Sequence, residues 1–197
     1  MTKKFHEGKK HGYIAGGIFS ESEIVQRIKE GRLLRENTNI DWHNPIESSF
    51  NDKSNLPAAS DVFWGATKEV LRSEYIIADL SNNDPGVCYE LGVAWAVNYI
   101  RDILKRNNKP ALELLEKYRI TSKKIIGVAS DTRLKTANKY KDYLIPYGMN
   151  QLIVGGILDQ GQIVHKFEEA LNIVSQEQPR KKQMTKKFFF FFFFFLI

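Results

Sequence analysis

Three short, mainly apolar runs constrain this chain more than any other feature: residues 12–19 (GYIAGGIF), 75–80 (YIIADL) and 124–129 (KIIGVA). Runs of this length without polar alternation suit strands covered on both faces, the condition of a parallel sheet. The segments between them have helical character. Ser20 with Glu23 forms a capping-box pattern ahead of Ile24, Ile28 and the Leu33/Leu34 pair. Residues 60–72 place Val62, Phe63, Ala66, Val70 and Leu71 on an inward face, and Pro85, with Asp84 as N-cap, opens a helix that runs to about residue 104. Further segments read as a short strand at 40–42, a helix at 109–118, a short strand at 151–154 and a closing amphipathic helix at 165–174. Strands alternating with helices imply a single α/β domain, with a parallel sheet of about five strands, right-handed crossovers and helices on both faces.

Length and composition agree with one domain. The 197 residues are 43% hydrophobic and 26% charged, as in an ordinary globular protein. The formal charge of +6 comes largely from the two ends, Lys3, Lys4, Lys9 and Lys10 and then Arg180, Lys181, Lys182, Lys186 and Lys187. No aromatic residues interleave with basic ones in the body, so a solvated basic tail is favoured over a nucleic-acid groove, and no nucleic-acid partner is expected. Cys88 is the single cysteine and His6, His11, His43 and His165 show no ligand spacing, so neither a disulfide nor a metal is expected. No apolar run follows the first lysines, and a reducing cytoplasmic location is the expectation. The domain is expected over 12–178, with a basic N-terminal extension at 1–11. Residues 179–197 form a basic and poly-Phe tail, artefactual or disordered. The apolar end, residues 188–197, is half the length a membrane span needs, and the pentapeptide MTKKF at residues 1–5 recurs at 184–188 without marking a structural repeat.

In a parallel α/β sheet, ligands bind beyond the carboxyl ends of the strands. There the end of the first strand, the DLSNNDPG turn and the irregular loop 37–57 should meet. Within the stretch GVCYELGVAWA, residues 86–96, Glu90 is the sole acid. The nearby helix start favours its charge, whereas burial opposes it, so the carboxylate needs partners; Tyr13 and Asp84 are the nearest candidates. Periodicity alone leaves two readings open, a core or surface acid and a catalytic one. Asp84 is likewise an ordinary cap on these grounds, and Trp42 and His43 read either as packing or as groups that stack on and hydrogen-bond to a ring. The Gly16-Gly17 pair does not complete a G-x-G-x-x-G or P-loop pattern, and no nucleophile-elbow serine is present. Chemistry, if any, rests on carboxylates and a tyrosine.

The segments YIAGGIFS (13–20), ADLSNNDPGVCYELGVAWA (78–96) and PYGMNQLI (146–153) together resemble the nucleoside 2-deoxyribosyltransferase family over about residues 12–175. The resemblance implies a flavodoxin- or Rossmann-like fold and, without cofactor or metal, the exchange of bases on 2′-deoxynucleosides. In that family Glu90 corresponds to the nucleophile that attacks C1′, Tyr13 to the tyrosine that holds it, and Asp84 to the acid that protonates the departing base. The remaining candidate substrate-binding positions are Gly16, Ile18, Phe19, Asp79, Asn150 and Trp42. Asn150 corresponds to a residue reaching from a neighbouring subunit, so a homo-oligomer built from dimers is expected.

Two departures stand out. Ala66 occupies a place where the family often has an aspartate near the base, and residues 99–143 are longer than the usual connection. Alternatives of other kinds are therefore a deoxynucleoside 5′-monophosphate N-glycosidase and a non-catalytic nucleoside- or nucleotide-binding module.

Overall fold

The structure is a computed structural model that describes residues 9–52, 54, 56–82, 84–131, 137–140, 143–146 and 149–180, the segments 137–140 and 143–146 by their backbone. Most of the poly-Phe tail and of the N-terminal extension lies outside the described residues. Strand β1 (Lys10–Ala15) leads into α1 (Glu21–Asn37), then β2 (Ile40–His43), two short 3₁₀ turns, α2 (Ala59–Arg72) and β3 (Tyr75–Asp79). After α3 (Pro85–Asn107) come α4 (Lys109–Lys117), β4 (Lys124–Val128), an antiparallel hairpin of β5 (Ala137–Tyr140) and β6 (Tyr143–Pro146), α5 (Gln151–Gln160), β7 (Gly161–Val164) and α6 (Phe167–Glu177).

The main sheet has the order β2-β1-β3-β4-β7, and every pair in it is parallel. This is a flavodoxin-like arrangement of five strands. Each central strand feeds both of its faces into a core. Ile14, Ile77 and Ile126 pack toward Leu34 of α1 and Val174 of α6, while Tyr13, Ala15, Ile76 and Ile125 pack toward Val70 of α2, Leu91 of α3 and Ile157 of α5. Burial on both faces is why the centres of β1, β3 and β4 read as apolar runs without alternation.

The caps form as the sequence implies. Ser20 and Glu23 make a reciprocal capping box on α1, and Asp84 caps α3 by accepting from the Val87 amide at 3.0 Å, with Pro85 in the first turn. Two elements differ from expectation. Residues 151–154 begin α5 rather than forming a strand; Asn150 caps that helix by accepting from the Leu152 amide at 2.9 Å. The fifth strand is instead β7, a four-residue edge strand that pairs with β4. The extra length at 99–143 is taken up by the end of α3, by α4 and by the first strand of the hairpin, which pairs with its own second strand rather than with the main sheet. Described contacts also continue on both sides of residues 12–178. Lys10 and His11 belong to β1, Pro179 bridges to Thr38, and Arg180 donates to the carbonyls of Arg35 and Glu36. No helix among the described residues is long and apolar enough to cross a membrane.

Candidate active site

The chain leaves β1 toward one face of the sheet, into α1, and leaves β3 toward the other, into α3. Adjacent strands whose connections diverge in this way open a crevice at their carboxyl ends, the usual ligand position in such a sheet. Here the crevice is a cleft of about 230 Å³ whose lining includes Tyr13, Gly16, Ile18, Phe19, Asp84 and Glu90, with α2 contributing Phe63 and Ala66. Six of the sequence-derived candidates therefore meet in one place.

Glu90 lies in the second turn of α3, only 9% exposed, and its Oε1 accepts a short hydrogen bond from the hydroxyl of Tyr13, which is wholly buried. Burial pushes the Glu90 carboxyl up from 4.5 to about 7; the bond from Tyr13 opposes that rise, and the charge of Asp84 adds to it. Tyr13 is itself raised well above its ordinary value, first by burial and then by the adjacent Glu90. The phenol thus stays protonated and donates, while the carboxylate ionises near neutrality. A group poised in this way, in a cleft, is suited to nucleophilic work.

Asp84 combines two functions of position. One oxygen caps α3, and the residue lines the cleft from the turn that precedes Glu90. Asp79, at the end of β3, also lines a narrow recess beside the cleft together with Asp84 and Asn150. Its carboxylate is turned toward α1, where Arg27 Nη2 lies 2.7 Å from Oδ2, and Oδ1 accepts from the Ser81 amide at 3.0 Å. Arg27 is buried and also meets Glu30 at 3.2 Å. A Cβ at position 16 would overlap the Arg27 guanidinium, so a larger residue there would have to displace it. A second tie crosses the crevice: Glu23 accepts from the amides of Phe19 and Ser20 and, through its other oxygen, from the Asn82 side chain at 2.6 Å. Neither Arg27 nor Glu23 was singled out for the site by sequence, since their partners lie more than fifty residues away.

Trp42 is the correction. It is 4% exposed on the α1/α6 side of the sheet, its ring lies over Gly12, and its indole N–H donates to the Thr38 hydroxyl at 2.8 Å. It packs the core and does not reach the cleft. Its neighbour His43, on the opposite face of β2, stacks on Tyr13 instead. The apolar walls of the cleft come from Ile18, Phe19, Phe63 and Tyr89; Phe19 is 74% exposed, and Tyr89 is linked through its hydroxyl to Thr67 at 2.9 Å. Ala66 lines the same cleft. Among the described residues no three His, Cys, Asp or Glu side chains gather as a metal site would need.

No family model and no curated protein matches the chain. Among solved structures it is similar to a conserved protein from Enterococcus faecalis V583, at 23% identity and a TM-score of 0.59, over 86% of this chain and 99% of that one. It is also similar to a 2-desoxiribosyltransferase from Leishmania mexicana, at 18% identity and a TM-score of 0.51, over 85% of this chain and 97% of that one. The chain shares their fold. The likeness covers nearly the full length of both neighbours.

Proposed function

We propose that the chain is a nucleoside 2-deoxyribosyltransferase, breaking and remaking the N-glycosidic bond of 2′-deoxynucleosides with Glu90 as nucleophile. The observation that carries this reading is the buried Tyr13–Glu90 pair at the floor of a cleft with aromatic walls and a second carboxylate, Asp84, at its edge. Aromatic side chains provide flat faces for a base, and the fold shared with the Leishmania mexicana 2-desoxiribosyltransferase adds support.

In this scheme Glu90 attacks C1′ of the deoxyribose as the C1′–N bond breaks, and the bonding electrons leave with the base. Asp84 hands a proton to the departing ring nitrogen. The sugar is held as an ester of Glu90 until a second base attacks C1′ and gives its N–H proton to Asp84, which restores the free Glu90 carboxylate and the acid form of Asp84; water in its place gives hydrolysis. Tyr13 keeps one carboxylate oxygen fixed, leaving the other for attack. No cofactor or metal takes part. The homo-oligomer, with Asn150 offered to the sugar in a neighbouring copy, belongs to the same proposal; Asn150 is exposed at the start of α5, as that role needs.

Unphosphorylated nucleosides are favoured over 5′-monophosphates. The Ser20 hydroxyl bonds to Glu23 at 2.8 Å, and the Ser81 hydroxyl bonds to that of Ser130 at 2.8 Å, so both serines near the strand ends are engaged. Hydrogen bonds from Ser20 and Asn82 hold Glu23 down at about 2, and its permanent negative charge would repel a phosphate at the same turn.

Incubation with deoxyinosine and free adenine tests the reading: deoxyadenosine and hypoxanthine are the expected products. Free hypoxanthine without deoxyadenosine would mean hydrolysis, and neither product with binding retained would leave a non-catalytic module. The pH profile is a second check. Because Glu90 must be ionised to attack and titrates near 7, kcat/KM is expected to fall about tenfold per pH unit below that value and level off above it. A profile flat down to pH 5 would remove Glu90 from the chemistry.

A further inference from the structure

Tyr13 does not stand alone against the sheet. In the parallel pairing of β1 with β2, His43 is its partner across the ladder. The two rings stack with centroids 5.4 Å apart and planes within 4° of parallel. On its far side His43 stacks on Phe50 at 5.7 Å and 10°. Phe50 is wedged in turn against α2, where Gly65 gives its ring the space a Cβ would take. The result is a three-ring stack that runs from the 3₁₀ turn Ser49–Asn51 to the phenol that holds Glu90.

His43 is fixed within the stack by both ring nitrogens. Nε2 lies 3.0 Å from the Ser48 hydroxyl and Nδ1 lies 3.3 Å from the Glu69 carboxylate, which also pairs with Arg72. The imidazole is nearly buried and is absent from the lining of the cleft. It cannot touch a ligand there. Among the described residues, its route to Glu90 runs through the ring of Tyr13.

We propose that His43 is a positioning residue for the nucleophile: its flat face, backed by the ring of Phe50, sets the Tyr13 ring and thereby the hydroxyl that orders Glu90. This rests on the reading of Glu90 given above, and goes beyond it by extending the active-site machinery to β2 and α2. The physical reason is leverage. A phenol hydroxyl lies at the far end of its ring from the backbone, so a small tilt of an unsupported ring moves the oxygen by a large part of a hydrogen-bond length. A reacting group displaced by about 1 Å can lose about a hundredfold in rate.

Two substitutions of similar bulk separate support from mere filling. His43→Leu fills the site without a planar face, and His43→Phe restores the planar face without the ring nitrogens. With His43→Leu, kcat is expected to fall about tenfold or more while KM stays within about twofold, and with His43→Phe kcat is expected to return to within about threefold of the parent. The second readout needs no turnover. The charged or titratable groups facing Glu90 are Tyr13 from β1 and Asp84 from the start of α3. Loosening Tyr13 removes the bond that opposes the rise in the Glu90 titration, so this titration should move further up in His43→Leu and not in His43→Phe. It is followed by ¹³C NMR of labelled glutamate carboxyls, with Glu90→Gln supplying the assignment. An unchanged Glu90 titration in folded His43→Leu overturns the proposal, as does an upward shift in His43→Phe as large as that in His43→Leu. If the parent protein showed neither transfer nor hydrolysis, the enzyme reading would fail, and the NMR titration would still decide the role of His43.

Discussion

Glu90→Gln is expected to abolish turnover and, above neutral pH, to make the protein more stable. In the proposed role of Glu90 as nucleophile, its removal lowers kcat by about 10⁴-fold or more. The stability effect follows from linkage. The folded state raises the Glu90 carboxyl from 4.5 to about 7, so the folded protein holds that proton more tightly than the unfolded chain does. The contribution is present in full below about pH 4.5 and is lost as pH rises toward 7. At pH 8 the charged carboxylate in its buried setting is a liability, and a neutral amide of the same shape, still able to accept from Tyr13, relieves it. The expected gain is about 2–3 kcal/mol at pH 8, a rise in Tm of about 4–10 °C, and close to nothing at pH 4.5. Thermal unfolding of both proteins across pH 4.5 to 8 checks this; a gain independent of pH, or a loss at pH 8, would mean that the acid is not held at a cost. Strain of this sort at a reacting group is the ordinary trade between activity and stability.

Arg27→Met is the second substitution with a large expected effect, and it acts in the opposite direction. Arg27 is buried between Glu30 and Asp79, with its guanidinium packed beneath Gly16. Methionine fills the aliphatic space and leaves two carboxylates without their cation. Breaking a buried pair from one side costs about 3–5 kcal/mol, and the partial exposure of Asp79 argues for the lower figure, about 3. Glu30 gives the effect a pH signature. Burial pushes Glu30 up to about 7 even with Arg27 present, so below that pH it takes a proton and needs no cation. The loss should therefore be larger at pH 8 than at pH 5 in urea unfolding. Equal losses at the two pH values would show that the Glu30 pairing contributes nothing, and that the loss comes from Asp79 and from packing.

What the sequence disclosed and what it hid have the same physical origin. Local signals were legible: the Ser20/Glu23 box, the Asp84-Pro85 start of α3 and the apolar runs of β1, β3 and β4 all depend on residues a few positions apart. Tyr13, Asp84 and Glu90 were legible as a group through a resemblance rather than through spacing, and the structure brings them into one cleft. Helix α5 was obscured because QLIV begins like a strand and Gly155-Gly156 interrupts the helical pattern; the cap at Asn150 was the signal that could have found it. Trp42 was open to a simpler correction. Side chains alternate across a strand, so in β2 Ile40 and Trp42 share one face and His43 takes the other, the face of Tyr13. The charge cluster at Arg27 joins residues from α1 and β3, 52 positions apart, and no local pattern carries such a pairing.

The ladder of the sheet also governs how the site comes into existence. Gly12 pairs with Tyr75, and Tyr75 with Lys124, so each rung at the centre closes a long stretch of chain before it returns any contact. The entropy of closing those stretches must be met first, which makes assembly of such a sheet slow relative to helix formation. Tyr13 and Glu90, 77 positions apart, meet only once β1 has found β3 and α3 has docked on them. A partly folded chain can have its helices and still lack the Tyr13–Glu90 pair, so the candidate site is a property of the finished topology and not of any fragment of it.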